Sequence, residues 1–379
     1  MTRAGGVYVH VPYCRRRCPY CDFYFEIGRT SAGFVDAVVA ELDARAAELS
    51  WPAATLSFGG GTPSQLSPPE LASIVDAVKR HGLVNDAEVS LEVNPEDIDA
   101  DVANGLKAAG FTRVSVGMQS FDDEVLRWLG RGHDGAGAEA AVAALVAAGL
   151  SVGVDFIVGV PCESPARLAD DLARAARLGV VHISTYLLTV EEGTPLVQLI
   201  KRGARAPVDD DAQATAYERV AELAEAAGFA QYEVSSHARD GHMSRHNRLY
   251  WGRGDYLGVG PGAHSLRIDD DGRAHRRHTT ARLDAWLADP IRAAHDDEVL
   301  ECEHALREAI AFGLRDLASG VDLAALAMLH RIAVPPDVTR ALEQACARGD
   351  AVVDGDRYRL TLRGARFADR VARDVLVTP

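Results

Sequence analysis

Short strand-like runs alternate with Ala-rich helical segments through the first half of the chain, and this alternation restricts the fold more than any other feature. Strands are predicted near Val7–Val11, Thr55–Phe58, Val89–Val93, Arg113–Val116, Val152–Ile157 and Ile183–Leu187. Between them, Phe34–Leu49, Leu71–His81 and Ala136–Ala148 carry apolar residues at helical spacing. Gly82, Gly110, Gly149, Gly179 and Gly228 each follow such a run, where a helix ends in a left-handed residue. Strand, helix and parallel strand in repetition define an α/β fold. Periodicity does not choose between an open doubly wound sheet and a barrel. In both, chemistry gathers at the C-terminal strand ends. The cysteines follow the first strand, the glycines the second, Glu92 and Asn94 end the third, Gln119 follows the fourth, and Asp155 lies in the fifth.

The remainder of the chain reads differently. From Met243 to His278 a Gly-, His- and Tyr-rich stretch shows no clear periodicity. Helices return over Leu300–Arg315 and Pro336–Arg348, and Ala351–Leu360 alternates around Asp354-Gly355, a hairpin signal. The expected division is a core at 1–240, a connecting segment at 241–296 and a smaller, mainly helical, winged-helix-like domain at 297–379. A net charge of −15 argues against nucleic acid bound by bulk electrostatics. No apolar run approaches the roughly 20 residues that span a bilayer, and Met1–Gly6 is too short and polar for a signal peptide. A cytoplasmic location is therefore expected, where clustered cysteines point to metal or catalysis before disulfides.

Three of the six cysteines, Cys14, Cys18 and Cys21, lie within eight residues; Cys162, Cys302 and Cys346 stand singly. Thiolates suit zinc and iron–sulfur clusters. Structural zinc takes four ligands, usually in two separated pairs, so a zinc reading needs a histidine such as His10 to complete it. Three thiolates on a four-iron cluster instead leave one iron open for a ligand. The pattern C-x-x-x-C-x-x-C, with Tyr20 before the last cysteine, resembles the radical SAM superfamily. That resemblance implies a partial (β/α) barrel and a 4Fe-4S cluster on Cys14, Cys18 and Cys21. It further implies S-adenosylmethionine on the open iron, cleaved to a 5′-deoxyadenosyl radical when an electron donor reduces the cluster.

Further residues are similar to the oxygen-independent coproporphyrinogen III oxidase family. Tyr8, the Gly59-Gly60-Gly61-Thr62 turn, Glu92, Gln119, Arg131 and Asp155 match positions that line the S-adenosylmethionine cavity there. Gly60, Gly61 and Thr62 in particular would bring bare backbone against the ligand. Two departures weigh against the oxidase itself. Its fourth cysteine is replaced by Phe23, and fewer residues precede Cys14 than in the oxidases. The run His246-Asn247-Arg248-Leu249-Tyr250-Trp251 instead resembles the H-N-x-x-Y-W motif of the haem chaperone branch, HemW. An imidazole can ligate iron and aromatic rings can pack on a macrocycle. His246, Asn247, Tyr250 and Trp251 are thus the candidate haem motif, with His242, His264, His275 and His278 as nearby alternatives. The expected function is a haem chaperone that takes haem as cargo and hands it to acceptor proteins, such as respiratory proteins at the membrane. The competing readings are the oxidase, which decarboxylates coproporphyrinogen III, and a zinc-stabilised interaction protein.

Overall fold

The computed structural model describes residues 5–28 and 30–377. Six strands lie side by side in chain order, each parallel to the next. They are β1 (Gly5–Val11), β2 (Ala53–Gly60), β3 (Leu83–Val93), β4 (Arg113–Gln119), β5 (Ser151–Val158) and β6 (His182–Leu187). The main connecting helices are α1 (Phe34–Arg45), α2 (Pro68–Gly82), α3 (Ala100–Ala108), α4 (Asp123–Leu129), α5 (Gly135–Ala147) and α6 (Pro165–Arg177). Their starts are written locally. Asp99, Asp122, Asp134 and Ser164 accept backbone N–H bonds at the heads of α3 to α6, and Ser67 with Glu70 forms a capping box on α2.

The stretch without clear periodicity is regular structure. It forms α7 (Arg245–Trp251) and the strands β9 (Tyr256–Val259), β10 (His264–Ile268) and β11 (Ala274–Thr279). With β7 (Ala230–Glu233), β8 (Ser236–Ala238) and β12 (His295–Leu300) they extend the sheet to twelve strands. The order is β12-β11-β10-β9-β1-β2-β3-β4-β5-β6-β8-β7, and the two outer strands do not pair, so the barrel is partial. A second core, built on Leu306, Ile310, Leu342 and Val371, joins α8 (Cys302–Gly313) to later helices and to the expected hairpin, Ala351–Asp354 with Arg357–Leu360.

The two faces of the parallel strands differ in character. Val7, Val9, Leu56, Phe58, Leu91, Val114 and Val154 are almost fully buried, in one cluster with Val38, Ile74, Val78 and Leu145 from the helices. Successive strand residues point to opposite sides, so the other face carries Tyr8, His10, Ser57, Gly59, Ser90, Glu92, Ser115 and Asp155. Register aligns these across the sheet: Tyr8 with Ser57, Ser57 with Ser90, and Glu92 with Ser115. The inner face is therefore polar and the outer face is the core.

α7 closes the end of the barrel where the strands begin. His246 is 2% exposed and its ring nitrogens are both bonded, Nδ1 with Thr55 Oγ1 at 2.8 Å and Nε2 with the Tyr250 hydroxyl at 2.7 Å. Its backbone N–H donates to Glu88 Oε1 at 2.9 Å. Gly6 makes room for the helix, since a Cβ there would lie 2.4 Å from Leu249 Cδ2. Tyr250 packs edge-on against Tyr256, and Trp251 stacks on Phe312 of α8 beside the Arg315 guanidinium. The candidate haem motif thus acts here as a plug that ties the barrel to the C-terminal helices. Both nitrogens of its imidazole are engaged by protein hydroxyls in this arrangement. Replacing His246→Ala strands two buried hydroxyl partners and leaves a cavity. A loss of about 2–4 kcal/mol in unfolding free energy is expected, read by chemical denaturation.

Candidate functional site

At the opposite, C-terminal strand ends the predicted residues converge. The cysteine loop leaves β1 at Val11 and is pressed against the glycine turn after β2. Gly61 N–H donates to Val11 O at 2.8 Å, and a Cβ on Gly61 would lie 2.5 Å from Pro12 O. Gly60 has φ +110°, and its Cβ would meet the His10 ring at 2.7 Å. Both positions need glycine for the approach itself.

Side chains from four segments then form a ring of polar contacts through the loop. Cys14 Sγ lies 3.4 Å from Thr62 Oγ1. Asn94 Nδ2 donates to that hydroxyl at 3.1 Å and its Oδ1 accepts from Arg131 Nη2 at 2.7 Å. Arg131 also donates to Gly117 O at 2.6 Å and, through Nη1, to Cys18 Sγ at 3.3 Å. Arg131 reaches inward because α4 ends in a left-handed Gly130, with Arg131 N–H returning to Leu126 O at 2.9 Å. Pro19 packs against the same glycine, and Arg15 pairs with Asp97 at 2.6 Å. Thr62 and Arg131, expected in the S-adenosylmethionine cavity, thus both touch the cysteines.

The electrostatics of the loop set burial, which disfavours thiolates, against the nearby Arg131 charge, which favours them. Burial, opposed in part by Thr62 and Arg131, raises the Cys14 thiol above its usual range; burial likewise raises Cys21. Burial opposes the charge of Arg131, yet Tyr20, Cys18 and Glu96 outweigh it and keep the guanidinium firmly protonated. Among the described residues its Nε is buried without a hydrogen-bond partner. A cationic cluster replacing the thiol protons would draw its ligands from Cys14, Cys18 and Cys21, beside the charge of Arg131. The donor set fits a 4Fe-4S cluster.

Deeper in the lumen stand Tyr8, Glu92 and Asp155. A Cβ on Gly59 would lie 3.1 Å from both Tyr8 Oη and Glu92 Oε1, which marks how closely they crowd it. Tyr8 shares a 3.3 Å hydrogen bond with His10 Nδ1, and Ser115 Oγ donates to Asp155 at 3.0 Å. Burial, then the Asp155 carboxylate, pushes Glu92 up to about 7 against a hydrogen bond from Gly60 N–H. Gln119 ends β4 at φ +66°, an uncommon conformation for a side chain of its size, at a register shift of the strand. His10, raised in sequence only as a possible zinc ligand, and Asn94, noted only as a strand-end residue, are the contributors not matched there to the S-adenosylmethionine cavity. The i, i+2 spacing of Tyr8 and His10 in one strand was the available signal for the first.

A model of the radical SAM superfamily matches residues 8–175. The heme chaperone HemW of Mycobacterium tuberculosis is 39% identical over 98% of this chain and 94% of its own length. The chain belongs to the HemW family of radical SAM proteins. The Escherichia coli K12 heme chaperone HemW is 34% identical, covering 96% of this chain and 95% of that protein. The bovine mitochondrial radical S-adenosyl methionine domain-containing protein 1 is 36% identical over 83% and 74%. Among solved structures, coproporphyrinogen III oxidase HemN from E. coli superposes with a TM-score of 0.82 at 22% identity, covering 99% of this chain and 90% of that one. HemN and this HemW family member share the partial barrel and its helical C-terminal region.

Two outcomes follow from the geometry. Gly61→Ala drives a Cβ into the cysteine loop and should at least halve iron and sulfide per chain after anaerobic reconstitution, with the circular dichroism spectrum preserved. Glu92 holds a proton in the folded state between about pH 4.5 and 7 that the unfolded chain releases, so its contribution lowers stability as pH rises through that window. Glu92→Gln should flatten the fall, by at most about 1.4 kcal/mol per pH unit, in denaturation curves between pH 5 and 7.

Proposed function

We propose that this chain is a haem chaperone: it holds a 4Fe-4S cluster on Cys14, Cys18 and Cys21, binds S-adenosylmethionine in the lumen, and carries haem to acceptor proteins. The observation that carries the reading is similarity along nearly the whole chain to proteins named heme chaperone HemW, at 34–39% identity. Phe23 supports it, since an exposed aromatic stands where the related oxidases carry a fourth cysteine.

When bound, the cluster would supply an open iron for S-adenosylmethionine and a one-electron reservoir. The residues around it hold and orient. Thr62 and Arg131 fix Cys14 and Cys18 within the loop, and Gly60 and Gly61 let the backbone approach a ligand closely. Tyr8, Glu92, Gln119 and Asp155 are the proposed contacts for S-adenosylmethionine. Glu92, near pH 7 in its titration, can accept or donate a hydrogen bond to an amino or ribose group. Among the described residues no helix is long and apolar enough to cross a membrane. We place the carrier in the cytoplasm, docking peripherally to deliver haem to respiratory proteins.

Anaerobically reconstituted protein is expected to carry about four irons per chain and to shift the Soret band of added haem. Replacing the three cysteines with Ala should abolish the iron content. Incubation with coproporphyrinogen III, S-adenosylmethionine and a reductant should yield no protoporphyrinogen IX. Failure of the intact protein to bind haem, or porphyrinogen turnover, would overturn the assignment.

A further inference from the structure

The chain has 13 histidines, and their surroundings separate them sharply. His10, His133 and His246 commit both ring nitrogens to hydrogen bonds, and His237 is buried at 1% exposure. His264 and His278 differ. They oppose each other directly in the β10–β11 register, with rings parallel to within 8° and centroids 4.2 Å apart. Neither imidazole has a hydrogen-bond partner among the described residues, and His264 is exposed.

Alternation places the pair on the inner face of the sheet. The next register pair, Ser265 and Arg277, turns towards α1, where Arg45 donates to Ser265 Oγ and Arg277 donates to Glu48. His264 and His278 therefore face the concave side, as Tyr8 and His10 do. Both also act electrostatically on His10. Burial, His278 and Arg276 hold His264 below the usual imidazole range, so a neutral lone pair is present at neutral pH.

The cysteine loop reaches the segment before His264 through Tyr24. Tyr24 is held by the helix that follows β11, where Leu283 N–H donates to its hydroxyl at 2.9 Å, and its ring would stand 3.0 Å from a Cβ on Gly262, two residues before His264. Phe23 beside it is 75% exposed and Ile27 is 54% exposed. Free imidazoles on the inner face, with exposed apolar side chains on the cysteine loop that Tyr24 anchors beside Gly262, are what an iron macrocycle with apolar faces would use.

We infer that the His264–His278 pair supplies the axial ligand to haem iron, with Phe23 and Ile27 packing on the porphyrin. The inference rests on the haem-carrier reading above. The rings lie close enough that one imidazole ligates while the other stands as an alternate ligand. The bond is dative and reversible, with no change of oxidation state required.

The test is a titration of the reconstituted full-length protein with ferric haem, for the wild type, His264→Ala, His278→Ala, the double variant and His304→Ala as a surface control. Each single variant should weaken binding about tenfold. The double variant should lose the ligated Soret position while keeping wild-type iron–sulfur content, and added imidazole should restore that position. Phe23→Ser should weaken binding several-fold with the Soret position unchanged. A double variant that binds with wild-type affinity and spectrum overturns the ligand assignment alone. A wild type that binds no haem overturns the carrier reading and the ligand assignment with it. If the double variant does not fold, haem binding weakened about tenfold in both folded single variants supports the assignment, and wild-type affinity in both refutes it.

Discussion

The contact between the glycine turn and the cysteine loop governs the rest of the site. Gly61 N–H reaches Val11 O at 2.8 Å, which pins the loop just where it leaves β1. A side chain at Gly61 would collide with the Pro12 carbonyl, so the loop can lie this close only over bare backbone. Once it does, Thr62 meets Cys14, Asn94 meets Thr62, and Arg131 closes the circuit on Cys18. Three segments distant in sequence thereby hold one short stretch of thiols. Preorganisation of this kind leaves little freedom for the ligand-holding atoms to lose when a cofactor binds.

The same sheet must satisfy two unlike environments. Its outer face buries aliphatic side chains under the helices, while its inner face lines a lumen with tyrosines, serines, histidines and two carboxylates. Burying carboxylates disfavours their charge, and Glu92 beside Asp155 responds by holding its proton to about pH 7. α7 makes such a lumen tenable at its lower end. His246, Thr55 and Tyr250 satisfy one another there, so few buried polar groups are left stranded by the plug.

Much of this was legible in the chain itself. The six parallel strands, their helices and the C-terminal hairpin follow from apolar spacing and turn residues, because those signals are local. The 243–278 stretch resisted that reading. β9 to β11 are short, and strands such as His264–Ile268 set polar residues both towards the lumen and towards Arg45, so no simple hydrophobic alternation survives. The surroundings of His246 were hidden for a related reason. A histidine beside aromatics looks the same in sequence whether its lone pairs are free or, as at His246, both bonded.

By itself the sequence determined the fold class, the three-cysteine loop and the glycines that accompany it, since spacing within one loop and period within one element are properties of neighbours in the chain. Only the tertiary structure decided which side chains face one another. It set Arg131 on Cys18 rather than in solvent, turned α7 into a plug, and stacked His264 on His278 at the mouth of the lumen. The physical reason is register: a hydrogen-bonded sheet fixes which residues of distant strands stand opposite, and no local pattern encodes that pairing.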